Sequence, residues 1–431
     1  MGLFARYHPA MAIHLPARVT ARNVPGEIVT VLPASDGVIP KRKGGRAIDR
    51  VAELTALIGD LVAHGSTIDQ LAYRKSLEAR APASVKALAN DLACYAQFCL
   101  RIRGPGLPAS EARIVAYLED LEVRRLTPAT VSRRLATLAV VHGLLGVSSP
   151  TSAPVVRDAL RGFRRRVSVR QRQAGPLRFG EGIGIAAAEG FTLTALLEAC
   201  HGTVMGLRDA ALLSLGYDAG LRVSELVAID CQAVTGIEDG AGVLEVERSK
   251  TDQEGRGAET WLSPDTMRRI TAWKREASIT QGPLFRRIAA NRTKAREPRR
   301  AIRIDELTWN APLDLERMAA QPARLAAVAY LIGDEALTPA AVRLIIKRTA
   351  RRAAEEGLVK LFGKELDAAI AALSTHSLRV GLTQDLFANG EDAGPIAQAL
   401  RWTSTATALR YGRKLAPAAN ATARMLGKVR G

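Results

Sequence analysis

A mainly helical chain of two domains, the second a mixed α+β unit with a small antiparallel sheet, is predicted by three observations. Apolar residues recur at helical spacing through residues 66–165 and again beyond residue 183. A single pair of segments, GVLEVE and AETWL, reads as strands around the glycine-containing turn TDQEGRG. The 431-residue length holds two cores and their tails. Four parts follow: a mobile N-terminal arm with a short helix over 1–65, a helical domain over 66–165, a basic linker over 166–182, and a mixed domain over 183–431 that ends in a tail helix.

The arm reading rests on the Pro, Gly and Ala content of residues 1–46 and on the cluster Lys41, Arg42, Lys43 and Arg46. Val51, Leu54, Leu57, Ile58 and Leu61 then share one side of an amphipathic helix. In the helical domain, Val85, Leu88, Leu92, Tyr95 and Cys99 mark a first strong helix. Ile114, Tyr117, Leu118 and Leu121 mark a second, and Val131, Leu135, Leu138, Val141 and Leu145 a third. Ser84 and Ser110 are placed to cap the first two, which Gly104-Pro105-Gly106 separates.

In the mixed domain, Leu244 and Val246 alternate with Glu245 and Glu247, as one covered sheet face requires. The remainder reads as helices. The basic stretch 286–303, with Pro298, reads as a loop or insertion.

The formal net charge is +18, so a polyanion is the expected partner. An apolar content of 47% excludes a largely disordered chain. No apolar run is long enough for a membrane span, and the N-terminus lacks the apolar core of a signal peptide, which predicts a cytoplasmic protein. The four cysteines form no CxxC pair, and Cys94 and Cys99 read as small core residues. Between the domains runs an arginine-dense segment: Arg157, Arg161, Arg164, Arg165, Arg166, Arg170, Arg172 and Arg178, opposed within it only by Asp158. A solvated helix face would interleave acids. Guanidinium forks without them suit phosphate oxygens, so this segment is expected to contact nucleic acid.

Several polar residues of the mixed domain interrupt apolar patterns. Arg222 and Glu225 in AGLRVSEL lie three apart and are expected on one helix face; alone they would be an ordinary ion pair. His376 and Arg379 in STHSLRVG have the same spacing, with Ser374 or Thr375 as cap. Trp402 and Tyr411 follow. Singly, each of these is unremarked core or surface. Together they suit phosphodiester chemistry. Two arginines can neutralise non-bridging oxygens, a tyrosine can form a covalent phosphoester, and a histidine can take its proton. Lys250, at the hairpin turn, can reach a departing oxygen. No acidic triad or phosphate-binding loop is apparent, so no metal or cofactor is expected.

The ordered set resembles the tyrosine recombinase (phage integrase) family, and within it the Cre recombinase-like branch, over roughly residues 70–420. AGLRVSELVAID resembles the family's first arginine box and ERSKTDQEG its hairpin lysine segment. THSLRVGLTQDLFANG and IAQALRWTSTATALRYGR resemble the second box and the tyrosine segment.

The resemblance implies a core-binding helical domain and a catalytic domain forming a C-shaped clamp on double-stranded DNA. It further implies a 3′-phosphotyrosyl intermediate, paired recombination sites, and a homotetramer on DNA that is monomeric or weakly associated when free. Arg222 and Arg379 would clamp the scissile phosphate, His376 would assist proton transfer and Lys250 would act as general acid. Trp402 would hydrogen-bond the phosphate, Glu225 would support the first arginine from behind, and Tyr411 would be the nucleophile. Where the branch carries a DNA-contacting lysine this chain has Ala129, and Arg133 and Arg134 stand nearby as substitutes. The chain is longer than that branch between Lys250 and His376, across 286–336. A non-catalytic DNA-binding protein and a type IB topoisomerase-like enzyme share the scaffold. The first would form no covalent adduct, and the second would relax plasmids lacking any special site.

Overall fold

The computed structural model describes residues 27–32, 49–62, 70–103, 106–167, 173–180, 190–246, 257–306, 315–412 and 425–426. They are mainly helical and fall into two compact units, Lys41–Gln173 and Met1–Pro40 with Ala174–Gly431. The chain starts with β1 (Glu27–Leu32). The first unit then holds α1 (Arg50–Leu61), α2 (Gln70–Glu78), α3 (Pro82–Ile102), α4 (Glu111–Val123), α5 (Pro128–Leu144) and α6 (Pro154–Arg166). The second continues with α7 (Leu193–Glu198), α8 (Val204–Asp218), α9 (Val223–Ala228), β2 (Val234–Gly236), β3 (Gly242–Val246), β4 (Ala258–Leu262) and α10 (Pro264–Glu276). It is completed by β5 (Arg286–Thr293), α11 (Leu315–Met318), β6 (Ala326–Ala336), α12 (Pro339–Glu355), α13 (Gly363–Ala372), α14 (Ser377–Ala388), α15 (Ala393–Ala399) and α16 (Thr405–Gly412).

The helical unit forms where the apolar spacing places it. Val85, Leu88, Leu92, Tyr95 and Cys99 of α3 are buried, as are Ile114, Tyr117, Leu118 and Leu121 of α4. Tyr95 and Tyr117 meet edge to face at 5.0 Å, a favoured aromatic geometry. Ser110 caps α4 by accepting from Arg113 N. Ser84 does not cap α3: the helix opens on Ala81 with Pro82 in its first turn. Proline's fixed φ and missing N–H let it start a helix without a polar cap. The helix α1 is also part of this bundle rather than an appendage of the arm. It packs on α3, burying Leu54, Ile58 and Leu61, and Leu61 O accepts from Gly106 N and Leu107 N.

In the second unit the expected hairpin is present. Strand β3 pairs antiparallel with β4, Leu244↔Thr260 and Val246↔Ala258, and β2 adds on the far side of β3. Leu244 and Val246 face the core and Glu245 is exposed, so the alternation reports sidedness correctly.

A second sheet, ordered β1-β6-β5, was not visible in the sequence. The basic stretch expected to be a loop begins as β5, antiparallel to β6. Residues 27–32, expected in a mobile arm, pair parallel with β6 from Glu27↔Ala326 to Leu32↔Leu331. In β6 the period-two burial of Val328, Tyr330 and Ile332 is masked by intervening apolar Ala329 and Leu331, and β1 has no local partner. Strand pairing across this separation is decided by the partner edge, not by propensity.

Of the expected linker, residues 166–167 and 173–180 are described. Segment 173–180 lies against α14: Leu177 N donates to Ser377 O at 3.0 Å, and Leu177 is fully buried. The approach is so close that a Cβ on Gly381 would sit 1.7 Å from Leu177 O, so α14 needs glycine there. Arg178, read with the phosphate-contacting run, is instead buried. Its Nε donates to Asp385 Oδ1 at 2.6 Å, while Asp385 Oδ2 accepts from Phe179 N and from Tyr217 Oη at 2.7 and 2.5 Å. Asp385 thus ties the incoming chain and α8 to α14.

Asp385→Ala is expected to destabilise this unit by about 3–5 kcal/mol, because a buried guanidinium and hydroxyl lose their acceptor. Denaturant unfolding followed in that unit measures the loss. A change below about 1 kcal/mol would contradict the network's role.

Candidate active site

The site is built where the ends of four helices of the second unit converge. Arg222 stands just before α9 with extended backbone angles, rather than inside the helix as its spacing to Glu225 suggested. Glu225, in the first turn, reaches back. Its Oε2 accepts from Arg222 N at 2.9 Å and its Oε1 from Arg222 Nη1 at 2.8 Å. One carboxylate therefore closes the helix start and fixes the arginine.

His376 stands at the N-cap of α14 and Arg379 one turn in. Ser374 Oγ accepts from His376 N, so the serine shapes the entry without capping the helix itself. Arg379 is 1% exposed. Its Nη1 donates to Gly220 O at 2.8 Å and its Nη2 to Leu400 O. Gly220, at φ +54, is one place where glycine is needed: a Cβ there would lie 2.2 Å from a Leu400 methyl.

Trp402 follows the end of α15, and the Arg379 Cζ lies 5.0 Å from its ring centroid. Tyr411, in the last turn of α16, stacks on Trp402 with ring centroids 5.2 Å apart and planes inclined by 7°. The Tyr411 hydroxyl lies 2.5 Å from His376 Nε2. Arg222, Glu225, His376, Arg379, Trp402 and Tyr411 are thus brought together by α9, α14, α15 and α16. Lys250, expected beside them, lies outside the described residues.

The electrostatics explain how that hydrogen bond is polarised. Burial, then the charges of Arg379 and Arg222, pushes the His376 imidazole below its ordinary range. Burial pushes the Tyr411 phenol up, although Arg379, Arg410 and Arg222 pull the other way. At neutral pH the proton therefore stays on the phenol, which donates to a neutral imidazole acceptor. Arg379 itself is pulled down to about 10 by burial and by Arg222, partly offset by Glu225. The pocket concentrates positive charge it cannot fully neutralise.

Arg401 belongs to this cluster and was missed. Its Nη2 donates to Ala219 O at 3.2 Å and lies 3.6 Å from Glu225 Oε2. Nothing in LRWTS marks its side chain as inward, because that depends on how α15 ends.

The arginines expected on DNA divide. Arg161, Arg164, Arg165 and Arg166 of α6 are exposed, opposite buried Val156 and Phe163. Their partners are weak surface contacts: Arg161 to Asp158, Arg164 to Ser132 Oγ, and Arg166 to Glu122, an acid the local sequence did not reveal. Arg133 is half exposed and donates to Asp91 Oδ2 at 2.6 Å. Arg134 departs from expectation. It is buried against Asp91 and Cys94, since its position falls on the core stripe with Val131 and Leu138. Arg170 and Arg172 lie outside the described residues. Among the described residues no group of three or more His, Cys, Asp or Glu could hold a metal, and no helix is long and apolar enough to cross a membrane.

The site therefore sets a tyrosine hydroxyl against a histidine, walled by a tryptophan and by arginines, on a helical scaffold. Several known proteins are similar to the chain. An integrase/recombinase xerD homolog of Selenomonas ruminantium is 30% identical over 226 residues, covering 50% of this chain and 63% of that relative. Recombinase cre of Escherichia phage P1 is 22% identical over 347 residues, covering 79% of this chain and 87% of Cre. A crystal structure of XerH site-specific recombinase, bound to palindromic difH substrate in a post-cleavage complex, is 13% identical. It covers 88% of this chain and 94% of that one, with a TM-score of 0.48. No protein-family model matches. The chain is thus similar to recombinases, and it spans less than two thirds of the length of the xerD homolog.

The His376 assignment has a pH signature. Its folded value lies below the unfolded one, so the unfolded chain protonates first as pH falls. The associated stability is complete above about pH 6.5 and is lost as pH falls through that value toward the folded one. Histidine-selective NMR, with His376→Gln for assignment among the six histidines, is expected to place its midpoint below 6.5. Arg222→Gln is expected to move the midpoint up. A parent midpoint at or above 6.5 would sink the assignment.

Proposed function

We propose that this chain is a site-specific DNA recombinase that cuts and rejoins duplex DNA through a 3′-phosphotyrosyl intermediate. The observation that carries the reading is the 2.5 Å contact between the Tyr411 hydroxyl and His376 Nε2, set beside buried Arg379. The names of the relatives, an integrase/recombinase homolog and Recombinase cre, support it.

In the proposed step Tyr411 Oη attacks the scissile phosphorus and its proton passes to His376 Nε2. The bond from phosphorus to the 5′-oxygen breaks, and that oxygen takes a proton from Lys250. The reverse attack by a 5′-hydroxyl releases Tyr411 and restores both protons. The ester bond is kept throughout, so no energy source is consumed. Arg222 and Arg379 neutralise charge that grows on the non-bridging oxygens in the transition state. Trp402 holds the phenol ring flat by stacking and offers its indole N–H to the phosphate. Glu225 holds Arg222 in place. Exposed Arg161, Arg164, Arg165 and Arg166, with Arg133, Arg170 and Arg172, supply phosphate contacts that position the duplex without reading its bases. The protein acts on paired sites as a homotetramer and is monomeric or weakly associated without DNA.

The test uses the full chain and a library of duplexes with a random core and a nick beside it, from which denaturation-resistant protein–DNA adducts are recovered and sequenced. The parent is expected to yield adducts converging on one sequence class. Tyr411→Phe is expected to yield none while retaining salt-sensitive DNA binding. Adduct formation by Tyr411→Phe, or none by the parent, would overturn the reading.

A further inference from the structure

The least expected residue of the pocket is Arg401. Helix α15 ends in a closed turn in which Arg401 N donates to Gln398 O and Trp402 N to Ala397 O, with Arg401 at φ +55. This is the pattern in which the left-handed residue is usually glycine, because a Cβ is unfavourable there. Arginine also takes this conformation at Arg103 and Arg125, but both are exposed. The Arg401 side chain is only 11% exposed, and it turns toward Glu225 and the Ala219 carbonyl. That engages one nitrogen. Its Nε and Nη1 are buried and have no hydrogen-bond partner among the described residues. Buried guanidinium donors are costly to leave unmade and mark a place where an acceptor is absent.

Charge points to the same acceptor. Arg222, Arg379 and Arg401 lie within electrostatic reach of one another and share a single carboxylate, Glu225. Three cations and one anion leave two positive charges in excess. A phosphodiester carries one negative charge. In-line attack by an oxygen nucleophile, once its proton has left, gives a pentacoordinate phosphorus group carrying about two. The excess in the pocket therefore matches the transition state better than the ground state.

We propose that Arg401 is a third guanidinium of the catalytic site, donating its Nε–H and Nη1–H groups to a non-bridging oxygen of the scissile phosphate. The inference rests on the strand-transfer reading above and deepens it.

Arg401→Gly is the informative variant, since glycine suits the backbone at this position and the unfolding temperature is expected to hold or rise. Single-turnover adduct formation is measured on the duplex captured from the random-core library, with either a normal phosphodiester or a methylphosphonate at the mapped cleavage position. The methylphosphonate lacks one negative charge. Against the parent, Arg401→Gly is expected to lose roughly 10²-fold on the phosphodiester and less than about threefold on the methylphosphonate. A role limited to structure would lower both alike. Equal losses on the two substrates, or a phosphodiester rate within about threefold of the parent, overturn the role of Arg401 and leave the recombinase reading standing. A parent that forms no adduct overturns that reading, and this inference with it.

Discussion

A guanidinium cannot be buried unless its donors are met, and Arg379 is buried almost completely. The acceptors it uses are main-chain carbonyls at two distant points, Gly220 before α9 and Leu400 at the end of α15. Meeting them forces three segments that are far apart in sequence to converge. Arg222 and Glu225 enter with the first, His376 with the helix that carries Arg379, and Arg401 and Trp402 with the third. Tyr411 is then placed by stacking on Trp402. The pocket is in this sense the set of neighbours that one buried cation requires.

That arrangement has an electrostatic consequence. Burial and like charge act together, lowering Arg379 and His376 while burial raises Tyr411. An imidazole kept neutral is able to accept the proton that the phenol keeps. The same low-dielectric surroundings that penalise the cationic cluster would strengthen its attraction for any anion. Helix α14 is anchored two turns along by Asp385, which accepts from Arg178, Phe179 and Tyr217.

Strands β5 and β6 of the β1-β6-β5 sheet lie across 286–336, the part of the chain that is long relative to the branch it resembles. Its central strand, β6, leads directly into α12, whose Val342, Ile345 and Ile346 join the main core. The insertion is therefore packed into the unit through its buried face, with Val328, Tyr330 and Ile332 in the same cluster. Its arginines face a different problem from those of the pocket. Arg300 and Arg303 pair with Glu306 and Asp305 at the surface, where solvent screening makes such contacts weak.

Local pattern fixed much of this protein in advance. Helices α1, α3, α4 and α5 and the β3–β4 hairpin were legible, because apolar periodicity reports which face will be covered wherever the covering is local. The sequence also singled out Arg222, Glu225, His376, Arg379, Trp402 and Tyr411 as an ordered set, and the structure brings their side chains together. Tertiary structure alone decided the rest. The pairing of β1 with β6 depends on an edge nearly three hundred positions away. Arg134 and Arg178 are written in the same letters as surface arginines, yet Asp91 and Asp385 draw them inside. Arg401 enters the pocket only because α15 ends in a left-handed turn. A side chain's direction is set by the backbone beneath it and the partners around it, and neither is encoded in residue type.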